Sequence, residues 1–561
     1  MSIYRRWFHR MVFLLSWLFT IIYIGMTFSY VRGHEANLPW EDQLRASGRV
    51  AIATAQGRLD VNTVFMLYNN SQRNVLPHII TAISTWLFDW NIPFENRVTF
   101  GVALITFGLL LYIIRQDFPA QWSYMIIPMA ALLFNIRMGS VWLQGSLFGA
   151  WFYPTMFLAL GIVLLRHIPA RPHKFLLAVF VALCSTYSIA GGMVVWGTLL
   201  IWLLSQRDYR RPLYIALWSG VAVVSVGLYV QGINYDRVGM KSRSELNLVK
   251  TTEFVLRYLA NAIIPAARHS NWGFVVAVAG LLTLGANSSI LVFRPAKRTQ
   301  LLLPITLAAQ SVLIGLMLSQ SRLTGISDRY ISAATPFWIG NVILIVAVIG
   351  LPAINWANVR KITRGAIIVG NSMCLLIVVI VFGNLWYHNR HPPSRLTPKY
   401  AEDCAKRYLL TLDPGCFGGG WSESPIDELA LNQLTMFSEK HLFELPSRYQ
   451  QGDPIIVATQ SDLQAAILVR WMLSDIPFQD QYILFQLHVP DNWRTTWLSL
   501  MEEVDASRFV STQTALVIQD VRLRTQIERA RRLWVVNATA GHFDNTNVLP
   551  SFDGESYVIT D

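Results

Sequence analysis

The chain has 561 residues, of which 53% are hydrophobic and only 14% charged, with 20 Trp and a mean hydropathy of +0.38. An ordinary soluble domain is about a quarter charged, so this composition excludes a fully soluble chain, a disordered one and a coiled coil. Four cysteines exclude a disulfide scaffold, and the net charge of +12 divides sharply along the chain: residues 401–561 carry 22 acids against 12 bases, and the first 400 residues hold the excess of bases. Positive charge confined to the apolar part follows the orientation rule for membrane helices and needs no polyanion, so nucleic acid is not an expected partner.

Apolar runs long enough to cross a bilayer fall at about 11–30, 97–114, 122–136, 148–165, 175–190, 193–205, 213–230, 272–293, 301–318, 331–350 and 366–386. The expected fold is a polytopic α-helical membrane protein with about 11 transmembrane helices over residues 1–386, a linker at 387–400 and an extracytoplasmic α/β domain at 401–561. The first run has a basic start and an apolar stretch too long for a signal peptide, and reads as a retained anchor. Arg5, Arg6 and Arg10 precede it. Arg115, then Arg166, Arg171 and Lys174, then Arg207, Arg210 and Arg211, then Arg294, Lys297 and Arg298, then Arg360, Lys361 and Arg364 fill every second loop. These clusters predict a cytoplasmic N-terminus in a plasma (inner) membrane, and the odd count of spans puts the acidic tail outside. Val75–Leu87, interrupted by Pro77 and His78, is shorter than a crossing and predicts an interfacial or re-entrant helix.

Two outer segments are long, at about 31–96 and 231–270. The second carries Arg237, Lys241, Arg243, Lys250, Arg257 and Arg268 against Asp236, Glu245 and Glu253. A basic outer loop has two readings: it meets anionic headgroups or a phosphate-bearing substrate, or it is simply a long loop that translocates regardless of charge. Beyond the prolines at 392, 393 and 398, the hydropathy becomes that of a soluble domain. Pro454–Thr459, Tyr482–Leu487 and Leu533–Asn537 predict strands, with helices from Ser461 to Leu473 and over Thr514–Arg532, which together suggest a small parallel α/β layer. No glycine-rich phosphate loop opens these helices. Cys404 and Cys416 lie in the exported segment and are expected to form a disulfide. The histidines are scattered, with no zinc-site spacing, so no metal site is assigned.

Only 12 acids precede residue 401, and none falls clearly inside a span, which weakens a proton-coupled transporter. The outward-facing ones are Glu35, Glu41, Asp42, Asp60, Asp89, Glu95, Asp236, Glu245, Glu253 and Asp328. Glu41 and Asp42 are adjacent, follow Pro39–Trp40, and precede the helix-compatible run Gln43–Gln56. Such a pair either caps the helix N-terminus or accepts a proton from an incoming hydroxyl; a divalent cation is a possible guest there, and no other cofactor is indicated.

The stretch Trp40-Glu41-Asp42, Gly57-Arg58-Leu59 and Asn69-Asn70-Ser71-Gln72-Arg73-Asn74-Val75-Leu76-Pro77 resembles the first outer loop of bacterial multi-span proteins in the GT-C superfamily of lipid-linked-sugar glycosyltransferases. Trp142-Leu143-Gln144-Gly145 with Trp151, Ser185–Gly192 with Trp196, and Ser327-Asp328-Arg329-Tyr330 add to the resemblance, which covers residues 1–386. The last resembles the Arg-Tyr signature of protein mannosyltransferase-like enzymes. This chain departs from the family in two places: its acidic pair is Glu-Asp, with Trp40 before it, and Gly145-Ser146-Leu147 stands where Gly-Phe-Gln is usual.

The resemblance implies transfer of a sugar from a polyprenyl-phosphate carrier to a lipid, polysaccharide or protein acceptor at the outer membrane face. Asp42 is then the base, with Glu41 its neighbour or substitute. Arg329 and Arg73, with Lys241, Arg243 and Arg257, offset the charge of the donor phosphate, and Asn70, Tyr330 and Trp142 line the substrate pocket. Membrane lipids, the polyprenyl-phosphate-sugar and other membrane subunits are the expected partners. Two alternatives remain open: a non-catalytic subunit of a larger membrane assembly on the same fold, and a lipid or polysaccharide transporter.

Overall fold

The computed structural model describes residues 3–39, 42–68, 72–119, 121–166, 171–206, 211–233, 248–264, 271–292, 300–320 and 326–349, single positions at 209, 372 and 383, short stretches between 399 and 438, and five strands between 455 and 557. The chain divides into two compact units. The first comprises Met1–Glu35, Asp60–Thr81 and Pro93–Pro393; the second comprises Ala36–Leu59, Ala82–Ile92 and Ser394–Asp561.

The first unit is helical. Seven described helical runs are long and apolar enough to cross a membrane: Phe13–His34, Ile92–Asp117, Gly145–Leu165, Pro212–Val230, Asn271–Val292, Leu302–Ser319 and Asp328–Val348. At a rise of about 1.5 Å per residue, even an 18-residue helix spans about 27 Å, close to the roughly 30 Å of a hydrocarbon core. Three more expected spans coincide with shorter apolar helices, Trp122–Leu133, Pro172–Thr186 and Ala190–Ser205, while 366–386 lies outside the described residues apart from positions 372 and 383. Val75–Phe88 is a helix of 14 residues, short as its sequence predicts. Apolar side chains stay exposed on whole helix faces, including Val223, Val224 and Leu228, where lipid rather than water is the compatible solvent. This is a multi-pass membrane protein.

In chain order the helices are α1 Ile3–His34, α2 Asp42–Arg45, α3 Ser47–Ala55, α4 Val61–Val64, α5 Val75–Phe88, α6 Ile92–Asp117, α7 Trp122–Leu133, α8 Gly139–Leu143, α9 Gly145–Gly149, α10 Tyr153–Leu165, α11 Pro172–Thr186, α12 Val194–Ser205, α13 Pro212–Val230, α14 Leu248–Asn261, α15 Asn271–Val292, α16 Leu302–Ser319, α17 Ile331–Ile349 and α18 Ile426–Leu431. The core of the first unit is α17, packed against α16, α15, α7 and α14. Pro336 interrupts it, because proline has no N–H and its ring opens the preceding turn. Ser311 of α16 mends the break: its hydroxyl accepts the Phe337 N–H at 3.0 Å and donates to the Ala333 carbonyl at 2.9 Å. Lipid offers no water to satisfy those groups, so the repair has to come from a neighbouring helix. Close by, a Cβ on Gly340 would stand 2.6 Å from the Pro304 carbonyl oxygen, so α16 and α17 touch backbone to backbone as only a small residue permits.

At one end of this bundle Arg166 forms an ion pair with Asp117 and donates to the Ile113 carbonyl at 3.2 Å, and Gln300 donates to the Asp117 carbonyl at 2.6 Å. Arg115, in the last turn of α6, lies at this end as well.

In the second unit the expected helix over 43–56 is present as α2 and α3, parted at Ala46. α3 packs against α18, and the Thr435 N–H donates to the Asp89 carbonyl at 2.8 Å. The strands β1 Ile455–Thr459, β2 Ile483–Leu487, β3 Ser499–Met501, β4 Leu533–Asn537 and β5 Glu555–Tyr557 form one sheet of order β3-β2-β1-β4-β5. β1 pairs in parallel with both β2 and β4, with Ile455 opposite Ile483 and Trp534, and the two edge strands run antiparallel. The three expected strands are the parallel centre. The edges, three residues each, give too short a pattern to read, and the expected helices 461–473 and 514–532 lie outside the described residues. Cys404 is disulfide-bonded and Cys184 is a free thiol; Cys416 lies outside the described residues.

Candidate functional site

Parts of several quoted motifs meet at the end of the first unit away from Arg166 and Asp117. Asp328–Tyr330 is a single 3₁₀ turn leading into α17. Tyr330 is buried, with its ring edge-on to Trp151 at 4.9 Å between centroids. The Arg329 guanidinium lies 5.2 Å from the Phe148 ring centroid and 5.5 Å from that of Tyr330, within cation–π range of both. A Cβ on Gly191 would lie 3.5 Å from the Trp151 ring, which brings the 185–192 segment to the same place. That segment also accepts the Leu76 N–H on the Tyr187 carbonyl at 3.1 Å, joining it to the described part, 72–77, of the Asn69–Pro77 motif.

Arg137 was not anticipated as a site residue. It stands on the connection between α7 and α8 and donates to the carbonyls of Asn261 at 3.1 Å and Ile264 at 3.2 Å. Burial lowers its hold on its proton, and the nearby Asp328 charge opposes that. Asn261 reaches the Ser327 carbonyl at 3.4 Å, so the Arg329 turn, the end of α14 and Arg137 form one polar patch. A lone arginine after an apolar run carries little signal in a sequence.

Glu95 and Asn96 are also fully buried, although the sequence presents Glu95 only as an outward-facing acid. Glu95 accepts from the Ser146 N–H at 2.7 Å, the Ser146 hydroxyl at 2.9 Å and the Thr81 hydroxyl at 2.9 Å. Asn96 accepts the Gly145 N–H at 2.8 Å. Gly145 has φ +64°, a left-handed setting that favours glycine and lets the chain turn between α8 and α9.

The remaining expected residues divide between described and undescribed positions. Trp142 is fully buried among Phe100, Phe134 and Phe152, with its indole N–H donated to the Asn135 carbonyl at 2.9 Å, so it belongs to the aromatic packing behind the Arg329 turn. Arg73 donates to the carbonyls of Tyr229 at 3.1 Å, Phe65 at 2.5 Å and Gln231 at 2.6 Å, and so ties the first outer loop to the end of α13. Arg257 pairs with Glu253 at 2.7 Å on the same helix. Asp42 heads α2 in the second unit. Glu41, Asn70, Lys241 and Arg243 lie outside the described residues. Among the described residues no three His, Cys, Asp or Glu side chains gather to hold a metal ion.

No protein-family model matches this sequence, and no curated protein matches it. Among solved structures the chain is similar to ArnT from Cupriavidus metallidurans bound to undecaprenyl phosphate, at 15% identity over 83% of this chain and 92% of that one, with a TM-score of 0.41. It is similar to the apo state of the same protein at 13% identity and a TM-score of 0.40, covering 83% of this chain and 91% of that one. The Archaeoglobus fulgidus oligosaccharyltransferase, in complex with zinc and sulfate, is similar at 10% identity over 83% of this chain and 62% of that one, with a TM-score of 0.40. These are likenesses in the course of the chain at low superposition; the chemistry of this protein has to come from its own residues.

Proposed function

We propose that the protein is an outward-facing membrane glycosyltransferase that moves a sugar from a polyprenyl-phosphate carrier to a hydroxyl-bearing acceptor. The observation that supports this most directly is the Arg329–Tyr330 turn, braced by Phe148 and Trp151 at the end of the helices away from the Arg166–Asp117 pair. A guanidinium held over aromatic rings stays fully charged and keeps its N–H groups planar, the form that matches a phosphate. In the reaction the acceptor oxygen attacks the anomeric carbon, and the bond from that carbon to the phosphate oxygen breaks. The electron pair leaves on the polyprenyl phosphate, whose growing charge Arg329 offsets. The family resemblance, not the geometry, assigns the acceptor proton to Asp42, the first residue of α2.

The test uses the full chain reconstituted in vesicles with a radiolabelled polyprenyl-phosphate sugar. Asp42→Asn is expected to abolish transfer while leaving binding of polyprenyl phosphate intact. Arg329→Gln is expected to weaken that binding about tenfold, the usual order for one charge-assisted contact to phosphate. Full turnover by Asp42→Asn removes the assignment of the base, and unchanged binding by Arg329→Gln removes that of the phosphate ligand.

A further inference from the structure

The first N–H groups of any helix have no partner within it. In the helical run Gly145–Leu165 they belong to Gly145 and Ser146, and the preceding Gln144 makes no side-chain cap. Their partners come from another helix. Glu95 and Asn96, consecutive residues near the start of α6, take the Ser146 and Gly145 N–H groups at 2.7 Å and 2.8 Å. The Glu95 carboxylate thereby faces the positive end of the helix dipole, where a negative charge is stabilised. Its second oxygen accepts from Thr81 of α5, so three segments meet on one buried acid.

That junction lies just before the aromatic pair of the site. Phe148 and Trp151 follow Ser146 by two and five residues, and they set the ring beneath Arg329 and the ring against Tyr330. Phe148 lies in α9 and Trp151 in the 3₁₀ turn Ala150–Phe152 that carries α9 into α10, and each residue rotates these by about 100° and about 120°. Whatever fixes the first residues of this run therefore decides which side chain faces the guanidinium.

The geometry points to Glu95 and Asn96 as positioning residues: they set the rotation of the 145–165 helix and, through Phe148 and Trp151, aim Arg329 at the phosphate of a lipid-linked donor. The ligand in this inference rests on the glycosyltransferase reading; the pinning of the helix does not.

The experiment takes the full chain in nanodiscs, follows the ¹⁹F resonance of fluorotryptophan at position 151, assigned with Trp151→Phe, and titrates a polyprenyl monophosphate. Glu95→Ala is expected to shift the Trp151 resonance and weaken phosphate binding about tenfold, which is about 1.4 kcal/mol. Glu95→Gln keeps an acceptor for Ser146 and is expected to restore both. The inference is overturned if Arg329→Gln weakens binding while Glu95→Ala leaves either the resonance or the affinity at its wild-type value. If the wild-type chain does not bind the phosphate, yet Glu95→Ala moves the resonance and Glu95→Gln returns it, the pinning stands and the donor reading falls. Should Glu95→Ala fail to fold, Asn96→Ala, which removes a single neutral acceptor, must shift the same resonance and lower the affinity severalfold; unchanged values overturn the inference.

Discussion

Arg73 offers the sharpest separation between a residue that holds the site and one that binds its ligand. Its guanidinium spans three carbonyls, two of them at the end of α13, where the helix dipole adds to the attraction of a cation. A hydrogen bond from a charged donor contributes about 1.5–3 kcal/mol when well buried and less when solvated. Arg73 is half-buried, so we assign about 1 kcal/mol to each bond and expect Arg73→Ala to lower stability by about 2–3 kcal/mol. Arg73→Lys retains the charge but has a compact head that cannot span three separated acceptors, and should cost about 1.5 kcal/mol. Unfolding in mixed micelles of graded denaturing strength measures both, with polyprenyl-phosphate affinity recorded on the folded fraction. The clamp is refuted if both variants stay within about 0.5 kcal/mol of wild type, the range of an ordinary surface change. A loss of affinity in Arg73→Lys at unchanged stability would make it a phosphate ligand instead.

Two further outcomes are expected. Gly340→Ala places a methyl against the Pro304 carbonyl and should destabilise the protein by about 1–3 kcal/mol in the same unfolding assay, as overpacking does, whereas wild-type stability would show that α16 and α17 are not in backbone contact. Asp60 caps α4, accepting the Thr63 N–H at 2.7 Å and the Thr63 hydroxyl at 2.5 Å, and these bonds hold its carboxyl below the usual aspartate range. A depressed carboxyl stabilises the fold above its unfolded value and loses that contribution as pH falls through the folded one. Amide exchange at Thr63 should therefore quicken as pH drops below about 4, after correction for intrinsic rates, and Asp60→Asn should remove that step. A step that persists in Asp60→Asn would assign it to another group.

What the sequence revealed, and what it withheld, follows from the range of the interactions. Long apolar runs are local signals, and they located the long described helices. Each central strand of the sheet was readable because it concentrates Val, Ile, Leu and Phe between polar stretches, while three-residue edges carry no period. The Arg329–Tyr330 turn and Trp151 were legible only as fragments, since their meeting is a tertiary fact. Glu95 and Asn96 were hidden for a different reason. An acid in the first turn of a helix looks like that helix's own cap, and nothing local shows that its side chain serves a residue 51 positions away. Arg73 was legible as a cation, but its three carbonyl partners, two of them over 150 residues distant, were not.

The hydroxyl of Ser311 that completes the rung broken by Pro336 bears on how the protein is made. Released into lipid by itself, α17 would face hydrocarbon with a gap in its ladder, so the penalty of insertion falls once α16 is alongside. The two segments are best delivered to the bilayer as a hairpin, α16 waiting at the exit for the partner it mends.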